Sequence, residues 1–259
     1  MELDVTRLGQ PGLEEDDEVA GNQVFARYRR VSLGMLCDAF SPGDRVLDFG
    51  CGSGLEAAYL ALWGVDVVAV DVLPERVDAT RDRARSLGVE DRMDTRLIEP
   101  GGLPGLVDQL GEVSLDGAYS SFGPLNCEPD LGAVAGAMGA LLREEAPLVA
   151  SVMNRSCAFE IGRNLARGRP RKAFRRFHPA EGRTGGGDVT VTYYSLKELR
   201  EAFGEWFLLE GARGLLKMPT PEADPLFRHF PGFLDWAMGF DPRSMAGLGD
   251  HLFVVMRRR

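Results

Sequence analysis

The chain has 259 residues, 44% of them hydrophobic and 27% charged, with a formal net charge of −9. This size and composition fit one large α/β domain with elaborations, and the acidic balance argues against a general nucleic-acid binder, whose phosphate affinity needs an extended basic surface. No apolar run approaches the roughly 20 residues that span a bilayer, and the acidic start MELDVTRLGQPGLEEDDEVA lacks the basic-then-apolar plan of a signal peptide, so the expected location is cytoplasmic.

Residues 1–18 read as an acidic tail, because the run Glu14-Glu15-Asp16-Asp17-Glu18 offers little to bury. Residues 21–40 read as a helix with the apolar stripe Val24, Tyr28, Leu33, Leu36 and Phe40, broken by Ser41-Pro42-Gly43-Asp44. The stretch Arg45 to Asp71, RVLDFGCGSGLEAAYLALWGVDVVAVD, then holds a complete strand, glycine turn, helix and strand. Val46 to Phe49 is a short buried strand, Gly50 to Gly54 a tight turn, and Leu55 to Trp63 a helix. The branched run Val65 to Val70 has the continuous character of a parallel strand covered on both faces, and it ends in Asp71. Cys37, Cys51, Cys127 and Cys157 show neither metal-ligand nor redox spacing, so they are expected to be reduced and no metal site is expected.

The glycine spacing separates two ligand classes. A dinucleotide fingerprint is G-x-G-x-x-G, facing a pyrophosphate. Here the third glycine comes one residue early, Leu55 fills the dinucleotide position, and Asp48 precedes Gly50 by two residues. A carboxylate there repels a pyrophosphate and suits a cationic ligand. The pattern Asp48-x-Gly50-x-Gly52-x-Gly54, with Asp71 after the next strand, resembles motif I and its acidic partner in class I S-adenosylmethionine (SAM) dependent methyltransferases. The resemblance implies SAM as cofactor, with Gly50, Cys51, Gly52 and Gly54 under it and Asp71, followed by Val72, at the ribose. It also implies a Rossmann-like α/β fold, a seven-stranded mostly parallel sheet in the order 3-2-1-4-5-7-6 with helices on both faces.

Further along, Pro74 to Leu87 and Leu103 to Leu110 read as helices, and Met93 to Ile98 as the third strand. Under the resemblance Tyr28 is either a cofactor contact or core packing, and Glu99 is either near the adenine amino group or a solvated loop acid. The fourth strand lies in VSLDGAYSSF, and Ser120, Ser121 and Phe122 end it at the mouth of the sheet, where open α/β sheets place ligand contacts. Phe122 either flanks the reacting methyl group or packs in the core. Asp130 caps a helix to Leu142, and Pro147 to Met153 is strand five.

Two insertions rise from the catalytic mouth in that topology, 155–189 after strand five and 213–249 after strand six, and both are expected to act as lids. The first carries the basic stretch Arg163, Arg167, Arg169, Arg171, Lys172, Arg175 and Arg176. If helical, it sets Lys172, Arg175 and Arg176 on one face. Either it draws an acidic or lipid-borne acceptor, making peripheral membrane contact one reading, or it is a solvated face. The second is aromatic, with Phe227, Phe230, Phe233 and Trp236. Between them come an extra strand Val189 to Tyr194, a capping box Ser195-Leu196-Lys197-Glu198 opening a helix to Phe203, and strand six, Trp206 to Glu210. Strand seven is His251 to Met256.

Methyl transfer from a sulfonium needs alignment and exclusion of water more than a triad. A phenol, alcohol or amine acceptor calls for a general base, and His178, His251 and Tyr193 are the candidates, each of which is otherwise a structural side chain. The post-strand-four sequence Ser121-Phe122-Gly123-Pro124 lacks the Asn/Asp-Pro-Pro-aromatic motif of amide and exocyclic-amine methylation, which favours a small-molecule acceptor over nucleic acid or protein. A catalytically silent SAM-binding regulatory or assembly protein and a nicotinamide-dependent oxidoreductase are the competing functions. Oligomeric state is not indicated.

Overall fold

The computed structural model describes residues 23–184, 187–214 and 247–259. Its seven-stranded sheet runs β3-β2-β1-β4-β5-β9-β8. In chain order these strands are β1 (Arg45–Phe49), β2 (Asp66–Asp71), β3 (Met93–Leu97), β4 (Gly117–Ser120), β5 (Pro147–Met153), β8 (Phe207–Gly214) and β9 (His251–Arg258). A separate hairpin pairs β6 (Ala180–Thr184) with β7 (Gly187–Val191). Only β9 runs antiparallel within the large sheet, between β5 and β8. With the hairpin strands set aside, this is the expected 3-2-1-4-5-7-6 order.

The helices form where the sequence supplies starts and stops. Pro74 opens α3 (Pro74–Leu87), and Gly64 and Gly88 end α2 (Leu55–Trp63) and α3. Asp130 Oδ1 accepts from the backbone N–H of Gly132 at 2.8 Å, starting α6 (Leu131–Leu141). The capping box of Ser195 and Glu198 starts α9 (Leu196–Phe203). One face of the sheet packs through Leu47, Val68 and Leu252 against α4 (Leu103–Leu110), α6 and α9. The other packs through Val46, Val67 and Phe253 against α1 (Gln23–Ala39), α2 and α3. Alternate side chains of the same strands therefore serve two cores, as a sheet covered on both faces requires.

Register brings Met153, ending β5, beside His251, opening β9. Two buried asparagines fasten the chain at that edge. Asn154 Nδ2 donates to the carbonyls of Gly247 at 2.9 Å and Gly249 at 2.8 Å. Asn126 Nδ2 donates to Met153 O at 3.1 Å and Thr192 O at 2.6 Å.

Three local expectations are corrected. The extra strand is the hairpin β6–β7, which stops at Val191, so Tyr193 lies beyond it and Tyr194 makes an isolated bridge with Asn154. The stretch 120–127, expected as a loop, contains a short helix α5 (Pro124–Cys127). The basic stretch is not one helix: α7 (Ala158–Ala166) ends before Gly168, and a four-residue α8 (Pro170–Ala173) gives way to a 3-10 turn at Arg175–Phe177. Arg176 is buried while Lys172 is exposed, so these two do not share a solvated face. Most of the second insertion, including its four aromatic residues, lies outside the described residues. Among the described residues no helix is long and apolar enough to cross a membrane.

Candidate functional site

The glycine turn is built from behind and open in front. Gly50 has φ 83°, and a Cβ there would sit 2.2 Å from Pro124 Cγ; a Cβ on Gly54 would meet Thr80 Cγ2 at 2.7 Å. Gly52 also has positive φ, 55°, yet its nearest neighbour would be Arg76 Nη1 at 3.8 Å, so its open side is free for a ligand. Buried Thr80 donates to Gly52 O at 3.1 Å, and Arg83 Nε donates to Ser53 O at 2.8 Å. Both come from α3, which thereby braces the turn. Cys51 is buried with its Sγ 3.3 Å from Thr80 Oγ1, and burial pushes the thiol pKa up.

Asp71 ends β2 at the same rim. Its Oδ2 accepts from the Gly52 N–H at 3.0 Å and its Oδ1 from the Leu73 N–H at 3.1 Å. Val72 beside it is half-buried, and Glu99, past the end of β3, is exposed. Asp48 lies deeper, in the buried part of β1. Burial raises its pKa well above 3.8 and the nearby charges of Glu56 and Asp71 add to this. The adjacent Tyr119 hydroxyl offsets only part of the rise, falling outside good hydrogen-bond geometry. A buried carboxyl raised in this way is stabilised by the arrival of a cation.

The β4 end supplies the next wall. Ser120 Oγ is buried with no hydrogen-bond partner among the described residues. Ser121 Oγ is 3.1 Å from Ser32 Oγ of α1. The Phe122 N–H donates to Ser151 Oγ at 2.7 Å and its φ is 63°, a left-handed conformation that costs a bulky residue strain and re-aims its ring. That ring is 6.4 Å from the His251 ring and 5.9 Å from the Arg29 guanidinium carbon. Arg29 pairs with Glu56, in the first turn of α2, at 3.1 Å.

Across the mouth, Asp250 gathers three groups. Its Oδ2 accepts from Tyr28 Oη at 3.2 Å and lies 3.0 Å from His251 Nδ1, and its Oδ1 accepts from Arg176 Nη2 at 2.5 Å. Burial alone would raise the Asp250 pKa, but hydrogen bonding and charge from His251 and Arg176 outweigh it and hold the carboxyl below its ordinary value. An ionised carboxylate only accepts, so His251 carries its proton on Nδ1 and presents Nε2. Burial and the Asp250 charge push the Tyr28 phenol up, keeping it a neutral donor. Arg176 also donates from Nε to Glu160 Oε2 at 2.7 Å, while its Cζ lies 5.2 Å from the centre of the Tyr193 ring. Arg175 pairs with the other Glu160 oxygen. Cys157, Glu160 and Asp250 also approach within metal-binding distance of one another. The Arg176 cation bonds to both carboxylates and already supplies the positive charge there.

The glycine turn and Asp71 meet at the ends of β1 and β2, with Asp48 in β1 and Val72 next to Asp71; Tyr28 and Phe122 lie against His251, Ser121 meets Ser32, and Tyr193 lies under Arg176. His178 stands apart, exposed after the 3-10 turn. The sequence reading passed over Arg29, Glu56, Glu160 and Asp250. Asp250 had a local signal, an acid directly before a histidine at a strand start. The others are paired only by the fold.

The family model of a methyltransferase domain matches residues 22–206. A stretch of 56 residues is 52% identical to ribosomal protein L11 methyltransferase of Alteromonas mediterranea, 21% of this chain and 19% of that protein. Another of 55 residues is 49% identical to magnesium-protoporphyrin O-methyltransferase of Rhodobacter capsulatus, 21% of this chain and 24% of that protein. The chain therefore spans about a fifth of the length of these curated relatives. Among solved structures, geranyl diphosphate C-methyltransferase from Streptomyces coelicolor A3(2), in complex with Mg2+, geranyl-S-thiolodiphosphate and S-adenosyl-L-homocysteine, superposes with a TM-score of 0.60. That likeness covers 99% of this chain and 85% of the other at 16% identity, and it is a likeness of fold.

Proposed function

We propose, on the premise that this chain belongs to the methyltransferase-domain family, that it is a cytoplasmic SAM-dependent methyltransferase transferring a methyl group to an O or N atom of a small organic acceptor, acidic or lipophilic in character. The observation that carries the reading is His251, oriented by Asp250 and with its ring 6.4 Å from that of Phe122, the residue after β4.

The residues present fit SAM: Gly52 leaves an open cradle, Asp71 stands at its rim, and Ser120 Oγ is a buried acceptor and donor without a partner. Bound there, SAM supplies a methyl carbon already activated by its sulfonium. Asp71 would take the ribose hydroxyls, with Val72 and Glu99 toward the adenine. Gly50, Cys51, Gly52 and Gly54 would lie under the nucleoside and methionine part, and Asp48 would favour its cationic amino end. Tyr28, Ser120, Ser121 and Phe122 would wall the methionine side. The insertions 155–189 and 213–249 would close over the acceptor and exclude water.

His251 would act as general base. Its Nδ1–H is engaged by Asp250, so Nε2 is the atom that receives the acceptor's proton. Tyr193, beneath Arg176, is a second mouth residue for acceptor contact. Exposed His178 is the weaker base, having no carboxylate fixing its ring among the described contacts.

Incubation with methyl-labelled SAM and a cell extract split into metabolite, protein and RNA fractions tests this. Label in the metabolite fraction is the expected result. Label confined to protein or RNA overturns the acceptor class, and SAM binding without any transfer overturns catalysis.

A further inference from the structure

We propose that the surface of the first insertion, from Leu165 to Phe177, docks on an anionic lipid bilayer. The segment reads LARGRPRKAFRRF and contains no acid and no Ser, Thr, Asn or Gln. Arg175 and Arg176 are neutralised by Glu160 and Asp250. Arg167, Arg169, Arg171 and Lys172 are all exposed and make no ion pair among the described residues, in a chain whose formal net charge is −9.

Three large apolar side chains are exposed among them: Leu165 at 47%, Phe174 at 46% and Phe177 at 47%. The two phenylalanine rings meet edge to face, 5.8 Å between centroids, and present one aromatic projection to water. Cations beside protruding apolar groups match the two layers of a bilayer surface, anionic headgroups outside and acyl chains beneath. Arginines alone would also suit a nucleic-acid backbone. The exposed aliphatic Leu165 beside the two phenylalanines favours lipid, whose acyl chains take up all three.

The surface is held in a fixed setting. Arg176, inside the segment, is buried against Asp250 and Glu160, and Ala173 is buried beneath α8. The polypeptide therefore turns its apolar and basic side chains outward from an anchored base. Docking here places the membrane on the same insertion whose root reaches His251 through Asp250. The inference does not depend on SAM chemistry.

Flotation of the full-length protein with phosphatidylcholine vesicles, with and without about 30% phosphatidylglycerol, tests it, with a short single-stranded RNA as competitor and SAM affinity and thermal midpoint as controls on each variant. Binding is expected only to the anionic vesicles, weakening at least tenfold in Arg171→Gln/Lys172→Gln and also in Phe174→Ser/Phe177→Ser, with the controls unchanged. No binding to anionic vesicles overturns the proposal. So does binding that neither double variant weakens, or binding that RNA displaces completely. Loss in the arginine–lysine variant alone, with the phenylalanine variant unchanged, overturns insertion of the aromatic pair into the bilayer.

Discussion

Arg176 Nη2 donates to Asp250 Oδ1 at 2.5 Å, so a side chain of the insertion after β5 is bonded to the carboxylate that orients His251 at the start of β9. Both side chains are buried, at 8% and 3% exposure. Arg176→Met takes the guanidinium from buried Asp250 and leaves Glu160 with Arg175 alone, and removing one partner of a buried pair costs about 3–5 kcal/mol. Denaturant melts should show that loss at neutral pH. The sign with pH follows from Asp250 being held below its ordinary 3.8. Its stabilisation is present above that value and is lost as pH falls toward the lower folded value. The variant should therefore have a flatter acid limb than the parent between about pH 5 and pH 2.

His251→Asn should slow methyl transfer by about 10²- to 10⁴-fold, the usual range for a general base. SAM affinity should stay within about twofold, because the residue faces the acceptor side; about twofold corresponds to a few tenths of a kcal/mol. An unchanged rate would mean that the acceptor supplies its own anion, as a carboxylate does, and the base assignment would be withdrawn.

Gly50 and Gly52 should respond to alanine in opposite ways. Gly50→Ala drives a Cβ into Pro124, so the whole fold should lose stability, visible as a lower melting temperature. Gly52→Ala meets nothing nearer than 3.8 Å and should cost only about 1–2 kcal/mol for its left-handed backbone, yet it occupies the cofactor's approach. Calorimetry should show SAM affinity falling further in Gly52→Ala than its folding stability alone accounts for.

The strand, turn and helix from Arg45 to Asp71 were legible because every level agreed: branched strand residues, glycines at the forced turn, and acids at both strand ends. The starts of α3 and α9 were equally legible, since Pro74 and the Ser195–Glu198 box act within one turn. The basic stretch was misread because charge spacing alone gives no sign of Arg176 finding Asp250, 74 residues away. Arg29 and Glu56 were missed for the same reason: they lie on separate helices, α1 and α2, which only the tertiary fold brings together. Hairpin β6–β7 lies where glycines hide the alternation that marks a strand.

Asp48 should show the opposite pH sign to Asp250. Burial raises its folded pKa above 3.8, so the folded state holds a proton that the unfolded chain has released. Wild-type stability should therefore fall, relative to Asp48→Asn, as pH rises from about 4 through the raised value. Urea melts of both proteins from pH 4 to pH 8 measure this. A constant difference across that range would show that Asp48 is not raised.

The most direct measurement is titration calorimetry of the protein with SAM, with its demethylated product and with NADH, repeated on Asp71→Ala after its thermal midpoint is checked. Asp71 meets Gly52 at the rim of the open glycine turn, where the ribose is assigned. The expected result is one-to-one binding of SAM and its product but not NADH, weakened by about 1.5–3 kcal/mol, or roughly 10- to 150-fold, in a still-folded Asp71→Ala. No SAM binding at millimolar concentration, or equal affinity in the folded variant, contradicts the cofactor site.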